Sequence, residues 1–276
     1  MKKAVNSRIK TADFARMCGA NKRTLIYYDE IDLFSPTERD ENGYRYYSEA
    51  QYDVFLVISA LKEIGMPLEQ IKNYLDHRNS ELLNKLLIAQ EEKINAEIIE
   101  LLRIQEMIQT KKKLLKIGGE VVSNVVVFET IPEEYLVLSD LADSSDHEVV
   151  MPILYNHLST CHREQLNVGH PFGAIISGDS LLNGEFDRYA YFFTKISKPL
   201  QSEKLFRKPA GIYATIYLKG DYYETETTYD KLLTAILQEG YAICGFSYKE
   251  GIIDEIAEKS VDAYITKISV LVEKDV

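Results

Sequence analysis

Residues 11–47 read TADFARMCGANKRTLIYYDEIDLFSPTERDENGYRYY. A short apolar-periodic run behind Thr11 (Phe14, Met17, Cys18) stops at Gly19, and a second begins at Asn21 with Lys22, Arg23 and Thr24 ahead of Leu25, Tyr27 and Tyr28. Two short helices about a glycine turn, the second opening on cationic and amide side chains, predict a helix-turn-helix. The chemistry suits DNA: Lys and Arg neutralise phosphates, Asn pairs with adenine edges, and a helix N-terminus attracts anions. The same features also fit two helices packed together with no ligand. The next residues in the chain decide between the two. Asn42-Gly43, between polar turn residues and the run Tyr44, Arg45, Tyr46, Tyr47, is a hairpin signal and predicts a short β wing.

The segment from about Ile9 to Leu75, including TLIYYDEIDLFSPTERDENGYRYYSEAQYDVFLVISALKEIGMPLEQIK, resembles the DNA-binding domain of the MerR family of transcription regulators. The runs YYDEIDLF, NGYRYY and LKEIGMPLEQI carry that resemblance together. One position departs: Ile26 stands where the family usually has Arg, which puts one backbone contact or supporting salt bridge in doubt. The resemblance implies a homodimer that binds a palindromic promoter with an overlong spacer. Effector binding then bends and untwists the DNA so that RNA polymerase engages both promoter elements. Carried to this sequence, it makes Asn21, Lys22, Arg23 and Thr24 candidates for base and nearby phosphate contacts, with Tyr27, Arg45 and Tyr46 positioning the backbone, Thr11 also among the DNA-binding candidates and Lys62 a phosphate ligand. Lys72 is a further phosphate candidate. Each lysine also fits a solvated helix face.

The chain has 276 residues and a formal net charge of −11. Residues 1–120 carry 19 cationic and 19 anionic side chains, so the acidic excess lies entirely beyond them, and residues 1–30 carry 7 cations against 3 anions. The N-terminus is therefore suited to phosphate and the C-terminal part is not. Cys18, Cys161 and Cys244 are too far apart in sequence for a paired-ligand metal site, and the expectation for all three is a buried, reduced, apolar role. No metal or cofactor is expected. With no signal peptide ahead of the first helix and no apolar run of membrane length, the expected location is cytoplasmic.

From Ser48 to about His77 the spacing of Val54, Phe55, Ile58, Leu61 and Ile64, then Leu68, Ile71 and Leu75, predicts two helices divided at Gly65-Met66-Pro67. From Asn79 to Lys116 no Pro or Gly intervenes, and Leu87, Ile94, Leu101, Ile108 and Leu115 recur every seven residues, with Leu83, Ile98 and Ile104 as partial second-seam positions. Such a helix exceeds about 50 Å and cannot bury its stripe against one small domain. It pairs with a second chain through residues 80–116, antiparallel if the family resemblance holds, or packs within its own chain. Gly118-Gly119 is expected to end it.

Beyond Gly119 the pattern becomes strand-like at 121–131 and 135–141, helical at 146–165, and strand-like at 171–177 and 188–197. It repeats with strand 211–218, helix 224–239 and strands 241–249 and 262–273. AYFFTKIS and AYITKIS close the two units. Two strand-helix-strand-strand units of this kind join into one antiparallel sheet with both helices on a single face and a groove between the halves.

This half resembles the gyrase-inhibitor-like effector domain of multidrug-sensing MerR regulators. Twelve of the 19 tyrosines lie beyond residue 120, and aromatic faces stack on planar rings and attract cations. The candidates for ligand contact are Tyr155, Tyr189, Tyr191, Tyr213, Tyr248 and Glu250. The resemblance aligns Tyr189 with a pocket tyrosine and places a tyrosine-glutamate pair in the late strand, where this chain has Tyr248-Lys249 followed by Glu250. A strand alternates its faces, so Lys249 and Glu250 cannot both enter one groove. Glu250 inward favours a cationic effector, as the domain's acidic balance does; Lys249 inward does not.

The expected fold is α+β: a winged helix-turn-helix over residues 1–78, a dimerisation helix over 79–118, and a duplicated antiparallel sheet domain over 119–276. The expected function is a non-enzymatic, ligand-responsive regulator of promoter DNA, activating genes of multidrug resistance or efflux on binding a lipophilic aromatic molecule expected to be cationic. Two rivals stand beside it. One is a hydrolase of small lipophilic compounds using Glu250, Asp254 or Glu255 as base, although His147, His157, His162 and His170 show no nucleophile partner. The other is a constitutive DNA-bending protein that senses nothing.

Overall fold

The computed structural model describes residues 8–275, divided into two compact units at Ile99/Glu100. In the first, β1 (Ile9–Lys10) leads into α1 (Thr11–Met17), the turn at Gly19 and α2 (Lys22–Glu30). The wing comes next as β2 (Glu38–Arg39) and β3 (Arg45–Tyr47), then α3 (Gln51–Glu63) and α4 (Leu68–Asp76). The three strands form a small sheet in the order β1-β3-β2. Gly19 has φ +64°, the left-handed turn a side chain resists. At the wing tip Gly43 has φ +79°, and the Asp40 carboxylate accepts from the backbone N–H of Asn42 and of Tyr44.

An aromatic stack holds this unit together. The Phe14 ring lies 4.8 Å from that of Tyr47, which lies 5.6 Å from that of Phe34, and Phe55 meets Phe34 edge-on. Residues from α1, the wing and α3 thus share one core, so the wing is packed to the helices rather than hinged to them.

α5 runs from Ser80 to Glu120, 41 residues and about 60 Å. It continues through both glycines expected to end it. Gly118 serves close approach: a Cβ there would meet Ile253 Cγ1 at 2.5 Å, and its neighbours Leu114 and Ile117 pack on Ile252, Ile253 and Ile265. Gly here lets the helix lie against the sheet, and that packing offsets its poor helix propensity.

The second unit comprises β4 (Val127–Ile131), β5 (Glu134–Leu138), α6 (His147–Arg163), β6 (Gly173–Ile176), α7 (Gly178–Leu182) and β7 (Tyr191–Ile196). β8 (Leu205–Lys208), β9 (Gly211–Lys219), α8 (Glu226–Gln238), β10 (Tyr241–Ile253) and β11 (Ile265–Lys274) complete it. All eight strands form one sheet, β4-β9-β11-β10-β6-β7-β5-β8, with every pairing antiparallel. The expected duplication is present as β5-α6-β6-β7 and β9-α8-β10-β11, meeting at β6 and β10. The repeated lettering falls on the equivalent strands β7 and β11.

Three features escaped the sequence pattern: α7, β8, and the late start of β4, since 121–126 form no strand. β4 and β8 determine the shape of the sheet. β4 ends two residues before β5 begins, yet it lies at the far edge beside β9; β8 ends two residues before β9, yet it lies beside β5. Linkers that short cannot span a flat eight-stranded sheet, whose strands are spaced about 4.8 Å apart. The sheet must curl until its edges approach, and its inner face becomes a second interior. Cys161 is buried, but Cys244 is exposed, contrary to expectation; it lies where the β10–β11 pairing is interrupted between Ile243 and Ser247.

Candidate functional site

The first unit presents its cations on α2. Asn21 caps the helix, its side-chain oxygen accepting from the Arg23 N–H at 2.9 Å, so Lys22 and Arg23 project from the first turn. Both are exposed, and neither enters an ion pair among the described residues. Asn21, Thr24 and Lys62 share the lining of a shallow depression of about 450 Å³ between the Gly19 turn and α3. Tyr27 lies half exposed on the same helix. Lys22 and Arg23 can meet a polyanion without first breaking an ion pair among the described residues.

Other candidates turn inward. The Thr11 hydroxyl is buried and donates to the Arg45 carbonyl. Arg45 Nε and Arg39 Nη2 both reach Asp29 Oδ2 at 2.6 Å. Lys72 Nζ donates to the Ile31 carbonyl at 2.9 Å, and the Tyr46 ring lies 4.0 Å beneath the Arg8 guanidinium. Thr11, Arg45 and Lys72 therefore brace the unit, and any contact they make with DNA must be shared with these bonds. Asp29 is the residue that sequence reasoning missed. It shares the buried stripe of α2 with Leu25 and Tyr28, and a carboxylate on an apolar stripe requires a cation. Burial pushes its carboxyl up, but hydrogen bonds from Arg45 and Arg39 hold it below the usual range.

In the second unit, the pairing of Lys249 with Ala174 and of Tyr248 with Ile175 assigns the two faces of the sheet. Ser247, two residues before Lys249, touches the α8 residue Tyr229 hydroxyl at 3.0 Å. Ala174 packs with Val150 and Leu154 of α6. Both helices and Lys249 thus share one face. Tyr189 belongs to the apolar clusters of both helices, and its hydroxyl lies 3.5 Å from Lys249 Nζ.

Tyr248 and Glu250 lie on the inner, curled face with Tyr191, Tyr213, Phe193 and Leu136. There Glu250 sits 3.4 Å from Lys208 Nζ and 3.8 Å from Lys195 Nζ, and Glu134 bonds to both lysines. Lys208 is 1% exposed, capped by the Tyr213 and Tyr248 rings at 5.1 and 4.6 Å. Burial raises the Glu250 carboxyl, but Lys195, Lys208 and Lys267 outweigh it and hold the group well below its usual range. Lys195 and Lys267 occupy equivalent positions of the repeated TKIS, so the duplication itself places two cations on this face.

The six ligand candidates therefore do not converge. Tyr189 lies on the helix face and Tyr155 is exposed on α6, whereas Tyr191, Tyr213, Tyr248 and Glu250 lie on the opposite face. Glu250 is fully paired, so it offers no free counter-charge to a cation beside Tyr189.

The same pairing removes Glu250 as a general base, and Asp254 is tied to Lys111 at 3.1 Å. His157 Nε2 lies 3.0 Å from Thr194 Oγ1, but both side chains are buried beneath α6. Burial holds that imidazole down to about 4, which makes it a core partner rather than a base at neutral pH. Among the described residues no helix is long and apolar enough to cross a membrane.

Residues 9–78 match the family described as MerR HTH family regulatory protein. The chain is 31% identical over 264 residues to the multidrug-efflux transporter 2 regulator of Bacillus subtilis (strain 168), covering 96% of this chain and 95% of that protein. It is 27% identical over 212 residues to the multidrug-efflux transporter 1 regulator of the same organism, covering 74% and 76%. Among solved structures, an EcmrR–DNA complex is similar at 18% identity and a TM-score of 0.41, covering 96% of this chain and 99% of that one; a likeness that weak bears on neither fold nor function. The sequence relationship extends through both units, and on it the chain belongs to the MerR family of helix-turn-helix transcription regulators.

Proposed function

We propose that the chain is a homodimeric, ligand-responsive activator of promoter DNA, working in the cytoplasm on a multidrug-efflux or resistance gene. The observation that carries the DNA half is the first turn of α2, where Lys22 and Arg23 stand exposed and without ion pairs among the described residues, beside Asn21 and Thr24. In this reading residues 1–78 read the operator and residues 79–118 pair two chains. Residues 119–276 hold a lipophilic aromatic effector in the seam between α6 and α8. The occupied seam favours a protein state that bends and untwists the spacer, so that RNA polymerase engages both promoter elements. Deforming a short site costs about 1–6 kcal/mol, within reach of a ligand that binds two protein states unequally. The names of the two Bacillus subtilis relatives support the efflux assignment.

The test is fluorescence anisotropy on duplexes spanning the regulator's own promoter and that of the nearest efflux gene, then transcription with purified polymerase with and without planar aromatic compounds. Specific binding, with transcription raised by a compound, supports the proposal. Specific binding with no response to any compound would leave a constitutive DNA-bending protein. An Arg23→Ala variant should bind more weakly and lower the slope of log K against log salt by about 1; an unchanged slope removes Arg23 from the contacts.

A further inference from the structure

The buried and half-buried lysines of the sheet differ in one respect. Lys195, Lys208 and Lys267 each meet a carboxylate within 4 Å. Lys249, only 8% exposed, meets none among the described residues. Its Nζ has the Tyr189 hydroxyl at 3.5 Å and that ring's centroid at 5.6 Å. The field of Asp221 reaches it without an ion pair, and burial still pushes the ammonium down to about 8. A buried cation with so weak a partner destabilises the free protein, and an anion brought to it would be strongly held.

Its place in the fold is equally specific. Lys249 pairs with Ala174 across the β10–β6 contact, where the duplicated halves meet. Ala174 offers little bulk beside it, and Tyr189 stands above, joining the clusters under α6 and α8. A ring entering this seam would stack against Tyr189 with its substituent at Lys249.

We propose that the seam selects an aromatic anion, a planar ring bearing a carboxylate or phenolate, which replaces the Tyr189 hydroxyl as the partner of Lys249. The proposal rests on the aromatic-effector reading of the seam and supplies its charge. A cationic ring of the same shape would bring a second positive charge to a site that already lacks a counter-ion.

The test uses the full-length dimer at pH 7 and three probes that share one ring: 2-naphthoate, 2-naphthalenemethanol and 2-naphthylmethylammonium. Binding is measured by calorimetry. The wild type should bind the naphthoate at least about tenfold more tightly than the alcohol, and the ammonium most weakly. Lys249→Met should abolish the order while still binding the alcohol, and Lys249→Glu should reverse it. Circular dichroism and operator binding confirm that each variant folds. Preference for the ammonium in the wild type, or naphthoate preference surviving in Lys249→Met, overturns the anion inference and leaves the aromatic seam standing. No binding of any probe to the wild type overturns the seam reading together with the inference.

Discussion

Lys249 and Glu250 are adjacent in β10 yet serve opposite faces of the sheet: Glu250 Oε1 lies 3.4 Å from Lys208 Nζ inside the curl, while Lys249 Nζ lies 3.5 Å from the Tyr189 hydroxyl beneath the helices. Glu250 is therefore structural. Glu250→Gln leaves Lys208 and Lys195 to share Glu134, and removing one partner of a buried network costs about 3–5 kcal/mol. With Glu134 retained, the expected loss is about 2–3 kcal/mol in urea unfolding, and the order of ligand charge preference stays unchanged. A change in preference without loss of stability would return Glu250 to the effector site.

Asp29 ties the wing to α2 through two arginines. Asp29→Asn removes the charge that both share while keeping the shape, and should destabilise the isolated head, residues 1–78, by about 3 kcal/mol in urea. Operator affinity should fall with it, because Arg39, Arg45 and the wing lose their anchor. Wild-type stability in the variant would mean that the aromatic stack alone holds the wing.

Much of this was legible. The Gly19 turn, the helix restarting at Asn21, the Asn42-Gly43 wing and the TKIS repeat each have a local cause, and each lies where the sequence pattern predicts. Gly118 was misread because a glycine signals helix termination and close packing with the same letter, and only the position of Ile253 separates the two. The division of Tyr189 from Tyr213 and Tyr248 was hidden for another reason. Alternation assigns faces within a strand, but which face lies beneath the helices depends on how β6 and β10 register. The lysine-glutamate network depends on the curl, which arises from β4 and β8 exchanging edges, and short strands such as β8 carry little periodicity.

The seam of α5 is exposed in the chain by itself. Leu101 and Ile108 are 64% and 56% exposed, and Leu87, Ile94 and Leu115 are exposed with them. A row of aliphatic side chains seven residues apart gains about 1.5–3 kcal/mol for each one buried in a partner. Ile108→Glu should therefore weaken the dimer by about 100-fold or more in sedimentation equilibrium, with helix content unchanged. A dimer of undiminished affinity would place the interface elsewhere.

His157 makes stability depend on pH in a defined window. Its imidazole is held down to about 4 by burial, assisted by Lys204 and opposed by Asp140, with Thr194 Oγ1 and Cys161 Sγ against the ring. The ordinary histidine value is 6.5. Between these values the unfolded chain binds a proton that the folded chain does not, so stability is complete above pH 6.5 and declines as pH falls toward 4. From about pH 7 to about pH 5 this group alone should cost about 2 kcal/mol. His157→Gln keeps a donor and an acceptor but does not titrate, so urea midpoints of the variant should fall less on acidification than those of the wild type. Equal losses in the two proteins would show that the folded imidazole takes its proton near the ordinary value, despite its burial beneath α6.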